Sequence, residues 1–289
     1  MHMRFAAFTS GNREGLAVAS PDAKFYGLLS GESGYPGSLD QLVRGGQTAL
    51  EDGAAALAKG NAIDFDQVAL LPPLRNSGKI ICVGLNYVDH SLESGFVVPD
   101  YPTIFTRFTS TLVASNQPII RPRASVELDY EGEMVAVLGR GGRHIREEDA
   151  LDYVLGYSIF NDSSIRDYQK KAPQWTIGKN FDGTGAFGPY LVTADELPPG
   201  GKGLHIQTRL NGNVVQDAST SDMVFTVARL ISILSEAITL SPADIIVSGT
   251  PAGVGMARKP PLWMKHGDVC EVEIEGIGVL RNPVIDESV

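Results

Sequence analysis

Glu131 and Glu133 stand two residues apart in "LDYEGEMVAVLG" (128–139), whose alternation is that of a β-strand. Strand side chains at i and i+2 share a face, so the two carboxyl groups lie roughly 7 Å apart along the chain, on the side that Val135 and Val137 continue. Two like charges turned toward a packed interior are costly unless something positive neutralises them. A third carboxyl, Asp162, stands where the apolar run "VLGYSIFND" ends. Three oxygen donors with no matching Cys/His cluster form a hard set, suited to Mg²⁺ or Mn²⁺ with positions left for water or substrate. Salt bridges to Arg or Lys would satisfy the same motif, and E-x-E alone does not decide between the two.

Other residues extend the chemistry. Arg166 and Gln169 fall on one helical face if a helix begins at a Ser163-Ser164 cap, where a guanidinium could clamp a substrate carboxylate. Lys179, in "QWTIGKNFDG", could hold a second carboxylate or an enolate oxygen. In "SGTPAGVG" (248–255) the glycines permit close backbone approach and Thr250 offers a hydroxyl and an N–H. Asn86 is placed to cap a short helix ending at Gly95, with His90 and Glu93 at i and i+3 on one side of it. A carboxylate beside an imidazole orients it and raises its basicity, an arrangement that activates water. Each of these also reads as an ordinary surface side chain or tight turn. His144, His205 and His266 have no such partner in the sequence.

The elements that must position these residues are mostly strands. From Lys79 onward, short apolar runs bounded by Gly, Pro, Asn or Asp predict an α+β, mostly-β core, without the β-α alternation of a doubly wound sheet. The clear helix lies in "SDMVFTVARLISILSEAITL", with Ser221 as its expected N-cap. Residues 1–72 read as a small N-terminal α+β domain. It comprises two strands around a Ser-Pro-Asp turn and an Ala-rich helix broken at Gly45-Gly46. Residues 73–289 form the second domain, starting at Pro72-Pro73 and a polar turn.

Composition narrows the partners. The 289 residues are 43% hydrophobic and 20% charged, with a formal net charge of −10, which argues against nucleic acid and anionic membranes. No run approaches a membrane span and the N-terminus lacks the apolar core of a signal peptide, so a cytoplasmic location is expected. The two cysteines, Cys82 and Cys270, sit in apolar strand-like runs and are expected to be buried free thiols. "GTGAFG" (183–188) precedes a strand rather than opening a helix, so it is not a dinucleotide fingerprint. "NDS" (161–163) matches a glycosylation acceptor only formally, and no P-loop or nucleophile elbow is present.

Taken in order, "CVGLNYVDHSLE", "DYEGEMVAVLG", "IFNDSSIRDYQ", "QWTIGKNFDGTGAFGPYLV", "LNGNVVQDASTSDMVF" and "IIVSGTPAGVG" resemble the fumarylacetoacetate hydrolase family over about residues 79–285. The resemblance implies a mixed β-sandwich roll, a homodimer, and Mg²⁺ or Mn²⁺ held by Glu131, Glu133 and Asp162 against a small 2-oxo-acid substrate. It further implies a His90–Glu93 dyad on a lid, with Lys179 beside the metal and Arg166, Gln169 and Thr250 contacting substrate. Leu85 stands where many relatives carry a basic residue. The expected reaction is hydrolysis of a C–C bond in an acylpyruvate or related β-diketo acid through a pyruvate enolate. Decarboxylation of oxaloacetate, or isomerisation of a 2-oxo dicarboxylate on the same site, is the alternative. Trp263 and Met264, in the loop 257–268, are expected at the far end of the pocket.

Overall fold

The computed structural model describes residues 2–95 and 97–288. Among these residues the largest sheet has twelve strands. Its main path runs Asn61–Ala62, Phe25–Leu29, Arg13–Ala19, Arg4–Ser10, Gly185–Thr193, Val154–Asp162, Gly132–Leu138, Ile245–Val247, Ile80–Gly84, Thr103–Arg107. Most neighbours are antiparallel, but Ile245–Val247 and Ile80–Gly84 run parallel, so the sheet is mixed. A five-stranded sheet is built from Asn213–Ser219, His205–Leu210, Val269–Ile274, Gly278–Asp286 and Ile119–Arg121. The protein is α+β and mostly β, as the strand-rich sequence implies.

Period-2 alternation sorts the central strand Gly132–Leu138 between two cores. Val135 and Val137 pack with Phe160, Phe187, Leu42 and Leu50, beneath the helix Leu39–Leu57. Met134, Ala136 and Leu138 face the other way, toward Ile206, Val272 and Leu280 of the smaller sheet and Leu230 of the helix Val227–Ala237. Each such aliphatic side chain withdrawn from water contributes roughly 1.5–3 kcal/mol. Both faces being buried, this strand is a rigid base for whatever stands at its start.

The N-terminal elements follow the sequence closely. The Arg13–Ala19 and Phe25–Leu29 hairpin forms, and the helix Leu39–Leu57 opens with a Ser38–Gln41 capping box and breaks at Gly46, whose φ of 80° is open to glycine. Arg4–Ser10 pairs with Gly185–Thr193, so the large sheet runs unbroken across the residue-72 boundary. The C-terminal helix starts later than expected. Thr226, not Ser221, caps Val227–Ala237 by accepting from Arg229 N, while Ser221 lies in a short 3₁₀ turn, Thr220–Asp222. Both cysteines are buried free thiols. No helix among the described residues is long and apolar enough to cross a membrane.

Candidate active site

Strand register assembles the carboxyl groups. Gly132 pairs with Asn161 and Glu133 with Phe160, and Asp162 N–H donates to Glu131 O at 2.8 Å. Glu131, just before one strand, and Asp162, at the end of its antiparallel neighbour, therefore meet at the same sheet end. Glu131, Glu133 and Asp162 each offer an oxygen within 4.8 Å of the others, and all three are buried. Asn161 and Gln216 hold the backbone here, accepting from Glu131 N and Gly132 N at 3.0 Å each.

Three buried cations answer the charge. Lys179 Nζ lies 2.6 Å from both Glu131 Oε2 and Asp162 Oδ2. Arg166 donates through Nε to Asp129 Oδ2 at 2.8 Å, and its Nη1 lies 2.7 Å from Glu131 Oε1. Arg107 reaches Asp162 Oδ1 at 2.7 Å and also donates to Thr184 Oγ1 and Ser163 O. Four carboxyl groups (Asp129, Glu131, Glu133, Asp162) thus face three cations, and Glu133 is the one without an ion pair among the described residues.

The titration behaviour follows this imbalance. Burial, then the charges of Asp162 and Glu131, push Glu133 well above the ordinary carboxylate range, opposed only in part by Lys179 and the Gly249 N–H that it accepts. Burial works the same way on Glu131, but Lys179 and Arg166 outweigh it and hold that carboxyl at about 2. Burial alone would lower the Lys179 ammonium; Asp162 and Glu131 outweigh it and raise it, so Lys179 is a hydrogen-bond donor rather than a base. A buried all-oxygen cluster with one uncompensated carboxyl fits a hard divalent cation, and each oxygen already hydrogen-bonded keeps a second lone pair.

Above the cluster, the short helix Val88–Glu93 carries the dyad. His90 Nδ1 is 3.0 Å from Glu93 Oε1. Gly253 N–H donates to both Glu93 oxygens at 3.0 and 2.9 Å, and Val254 N–H to Oε1 at 3.4 Å, latching the helix to the 248–255 loop. Asn86 does not cap this helix. Its side chain donates to Phe225 O and Ser248 O and accepts from Phe225 N, pinning the chain just before the helix. Gly249, with φ 101°, passes so close to Asn86 that an added Cβ would stand 2.7 Å from Asn86 Cβ. His90, Glu131, Glu133, Arg166, Lys179 and Thr250 all line one cavity of about 320 Å³. Gln169 also lines it and accepts from Arg166 Nη1 at 2.9 Å.

Several expectations need correction. The Arg166–Gln169 helix follows Ile165, not a Ser163-Ser164 cap, because Ser164–Ile165 pairs with Leu128–Asp129 as strand. Thr250 lines the cavity as expected, its hydroxyl donating to Gly132 O and accepting from Gln216 Nε2. The apolar wall consists of Phe105, Trp175, Pro173 and Met256; Trp263 and Met264 do not line the cavity, and Met264 is fully buried in the main core. Leu85 does line it, in the left-handed region at φ 59°. His205 has a partner after all, Asp217 at 2.6 Å on the surface. Asn161 is buried with its amide on Cys270 Sγ, in keeping with the reading that "NDS" is only formally a glycan acceptor.

Arg107, Asp129 and Gln216 were not singled out from sequence. Asp129 accepts from Gly255 N at 2.7 Å and Met256 N at 3.0 Å as well as from Arg166, so one carboxylate ties the guanidinium to the loop wall. Its signal was available: Asp129, Glu131 and Glu133 share the same i, i+2, i+4 parity.

Fold and site define a mostly-β protein with a buried carboxylate cluster beneath a His–Glu pair. Residues 79–285 match the C-terminal domain of fumarylacetoacetate hydrolase, and the chain belongs to that family. It is 42% identical to a mitochondrial oxaloacetate tautomerase of Xenopus laevis over 253 residues, 86% of this chain and 79% of that one. Against the corresponding protein of Rattus norvegicus it is 43% identical over 252 residues, covering 86% and 80%. Among solved structures, a fumarylacetoacetate hydrolase from Exiguobacterium antarcticum aligns with TM-score 0.86 at 35% identity, covering 99% of this chain and all of the other. A 2-hydroxyhepta-2,4-diene-1,7-dioate isomerase from Mycobacterium marinum aligns with TM-score 0.75 at 30% identity, with the same coverage.

Proposed function

We propose that this protein is an enzyme that moves a proton on a small 2-oxo dicarboxylate, interconverting the keto and enol forms of an oxaloacetate-like substrate. The observation that carries the reading is the placement of His90: Glu93 holds its Nδ1, leaving Nε2 for the cavity whose floor is the carboxylate cluster. With Nδ1–H donated to Glu93, the Nε2 lone pair is the base. It takes a proton from C3, the C–H electrons form the C2–C3 double bond, and the carbonyl π electrons move onto the 2-oxo oxygen. The imidazolium then gives its proton to that oxygen, which completes the enol and returns His90 to the neutral base; the same steps reversed give the keto form. Two of the three Lys179 N–H donors are used by Glu131 and Asp162, and the third is left for the developing oxyanion. Arg166 Nη2, buried and unpartnered, is left for the substrate's 1-carboxylate. Mg²⁺ or Mn²⁺ held by Glu131, Glu133 and Asp162 would supply Lewis-acid polarisation of the 2-oxo group.

Similarity to oxaloacetate tautomerases supports this reading over C–C hydrolysis of an acylpyruvate, which would use the same dyad to activate water. The test is a panel on the metal-supplemented enzyme: enol-to-keto conversion of oxaloacetate, pyruvate release from oxaloacetate, and cleavage of acetylpyruvate. The expected result is fast interconversion with little pyruvate from either substrate. Acetylpyruvate cleavage as the dominant activity would refute it.

A further inference from the structure

The donors on the cavity wall divide into those already used and those that are free. Lys179 is committed to two carboxylates, and Arg166 keeps one unpartnered Nη2 beside the cluster. Two more polar groups line the same cavity without a partner. Lys170 has no ion pair among the described residues, and Ser94 Oγ is buried with no hydrogen bond.

Lys170 is aimed by the element that carries Arg166 and Gln169. It is the C-cap of the Arg166–Gln169 helix and still helical at φ −92°, ψ −7°, with its N–H on Arg166 O. Residues i, i+3 and i+4 share a helix face, so Arg166, Gln169 and Lys170 form one row running from the cluster outward. Lys171 leaves that row, its ammonium seated 3.2 Å from the centre of the Tyr168 ring. Ser94 caps the C-terminal end of the dyad helix, one residue beyond Glu93. The same cavity is also lined by Trp175, Pro173 and Met256, whose side chains offer an anion nothing.

We infer that Lys170 and Ser94 form the recognition site for the second carboxylate of a dicarboxylic 2-oxo acid, which makes Lys170 the residue that selects dicarboxylates over monocarboxylates. This rests on the proposed function for the location of the first carboxylate, beside Arg166. It does not depend on which bond the enzyme changes, only on the two ends of the substrate lying at opposite ends of that row.

Oxaloacetate and 2-oxobutyrate test it, because they differ only in a carboxylate against a methyl on C3. Binding of both is measured by titration calorimetry on the Mg²⁺-loaded protein, for wild type, Lys170→Met, Lys170→Glu, Lys170→Arg and Ser94→Ala. Wild type is expected to favour oxaloacetate. Lys170→Met should weaken oxaloacetate roughly 5- to 10-fold, the scale of a partly exposed charge-assisted contact, and Lys170→Glu more. Lys170→Arg should restore most of the loss, and Ser94→Ala should give a smaller one. In every variant 2-oxobutyrate should stay within about twofold and the melting temperature should not move, which a merely structural role for Lys170 would not reproduce. KM for oxaloacetate should rise with kcat little changed. An oxaloacetate preference that survives Lys170→Glu overturns the inference, as does a wild type that never had the preference. A Lys170-dependent preference in a protein that does not interconvert the keto and enol forms sustains the inference and refutes the proposed reaction instead.

Discussion

Removing the Glu93 carboxylate tests the dyad and its latch together. It accepts from Gly253 N–H with both oxygens, from Val254 N–H at 3.4 Å, and faces His90 Nδ1 at 3.0 Å. Hydrogen bonds to a charged acceptor net roughly 1.5–3 kcal/mol. The side chain is 22% exposed and one contact is long, so about 2 kcal/mol is the discounted worth of the latch. Glu93→Ala should therefore lower the docked population of the Val88–Glu93 helix about 30-fold relative to the open form. It also leaves His90 without the group that fixes its tautomer, so kcat should fall about 100-fold, within the range general-base catalysis supplies. Glu93→Gln keeps an oxygen for Gly253 N–H and should lose only about 10-fold. Steady-state kinetics reads the loss in kcat, and faster amide hydrogen exchange over residues 88–95 reads the loss of the docked helix. Divalent-metal affinity should be unchanged. A Glu93→Ala enzyme with kcat near wild type, or with 88–95 no more exposed to exchange, refutes the dyad-and-latch reasoning.

Two further outcomes follow from the buried charges. Arg107 and Asp162 are both fully buried, so Arg107→Met, which leaves Asp162 with Lys179 alone, should cost about 3 kcal/mol in a denaturant melt. Arg107→Lys should cost less, keeping the charge while losing the fork to Ser163 O and Thr184 Oγ1. Glu133 sets a pH dependence. Its folded value is raised above 4.5, so the stability it contributes to the metal-free protein is full below 4.5 and lost as pH rises through the raised value. Glu131 runs the other way, its contribution present above 4.5 and lost as pH falls toward about 2, so at mildly acid pH only the Glu133 effect is active. Metal binding must displace the Glu133 proton, and calorimetry in buffers of different ionisation enthalpy should show proton release that shrinks as pH rises through the raised value. Uptake without proton release would contradict this.

What was legible in the sequence is what local periodicity encodes. Alternation put Glu131 and Glu133 on the face of Val135 and Val137, and those valines are in the core under the helix Leu39–Leu57. Turn and glycine signals marked the hairpin and the break at Gly46. Arg107 was invisible because it comes to Asp162 across 55 residues of chain, from the edge strand Thr103–Arg107, and a lone arginine in "IFTRF" has no local signature. The join of Arg4–Ser10 to Gly185–Thr193 is equally non-local. Asn86 and Ser221 misled for a different reason. Both are good cap residues by type, but tertiary hydrogen bonds took Asn86 for the Ser248 and Phe225 backbone, and the chain made a 3₁₀ turn at Thr220–Asp222 and then a bend before Thr226 capped the helix. The reaction was the least legible part, since a buried carboxylate cluster beneath a His–Glu pair is compatible with hydrolysis, decarboxylation and tautomerisation alike.

The most direct measurement is deuterium incorporation at C3 of oxaloacetate in D₂O, followed by NMR on the Mg²⁺-supplemented enzyme with pyruvate monitored in the same tube, for wild type and His90→Asn. Proton transfer by His90 requires rapid enzyme-dependent C3 labelling with little pyruvate, and near-complete loss of that labelling in His90→Asn while metal binding persists. Labelling no faster than in the enzyme-free control, or full labelling by His90→Asn, would contradict it.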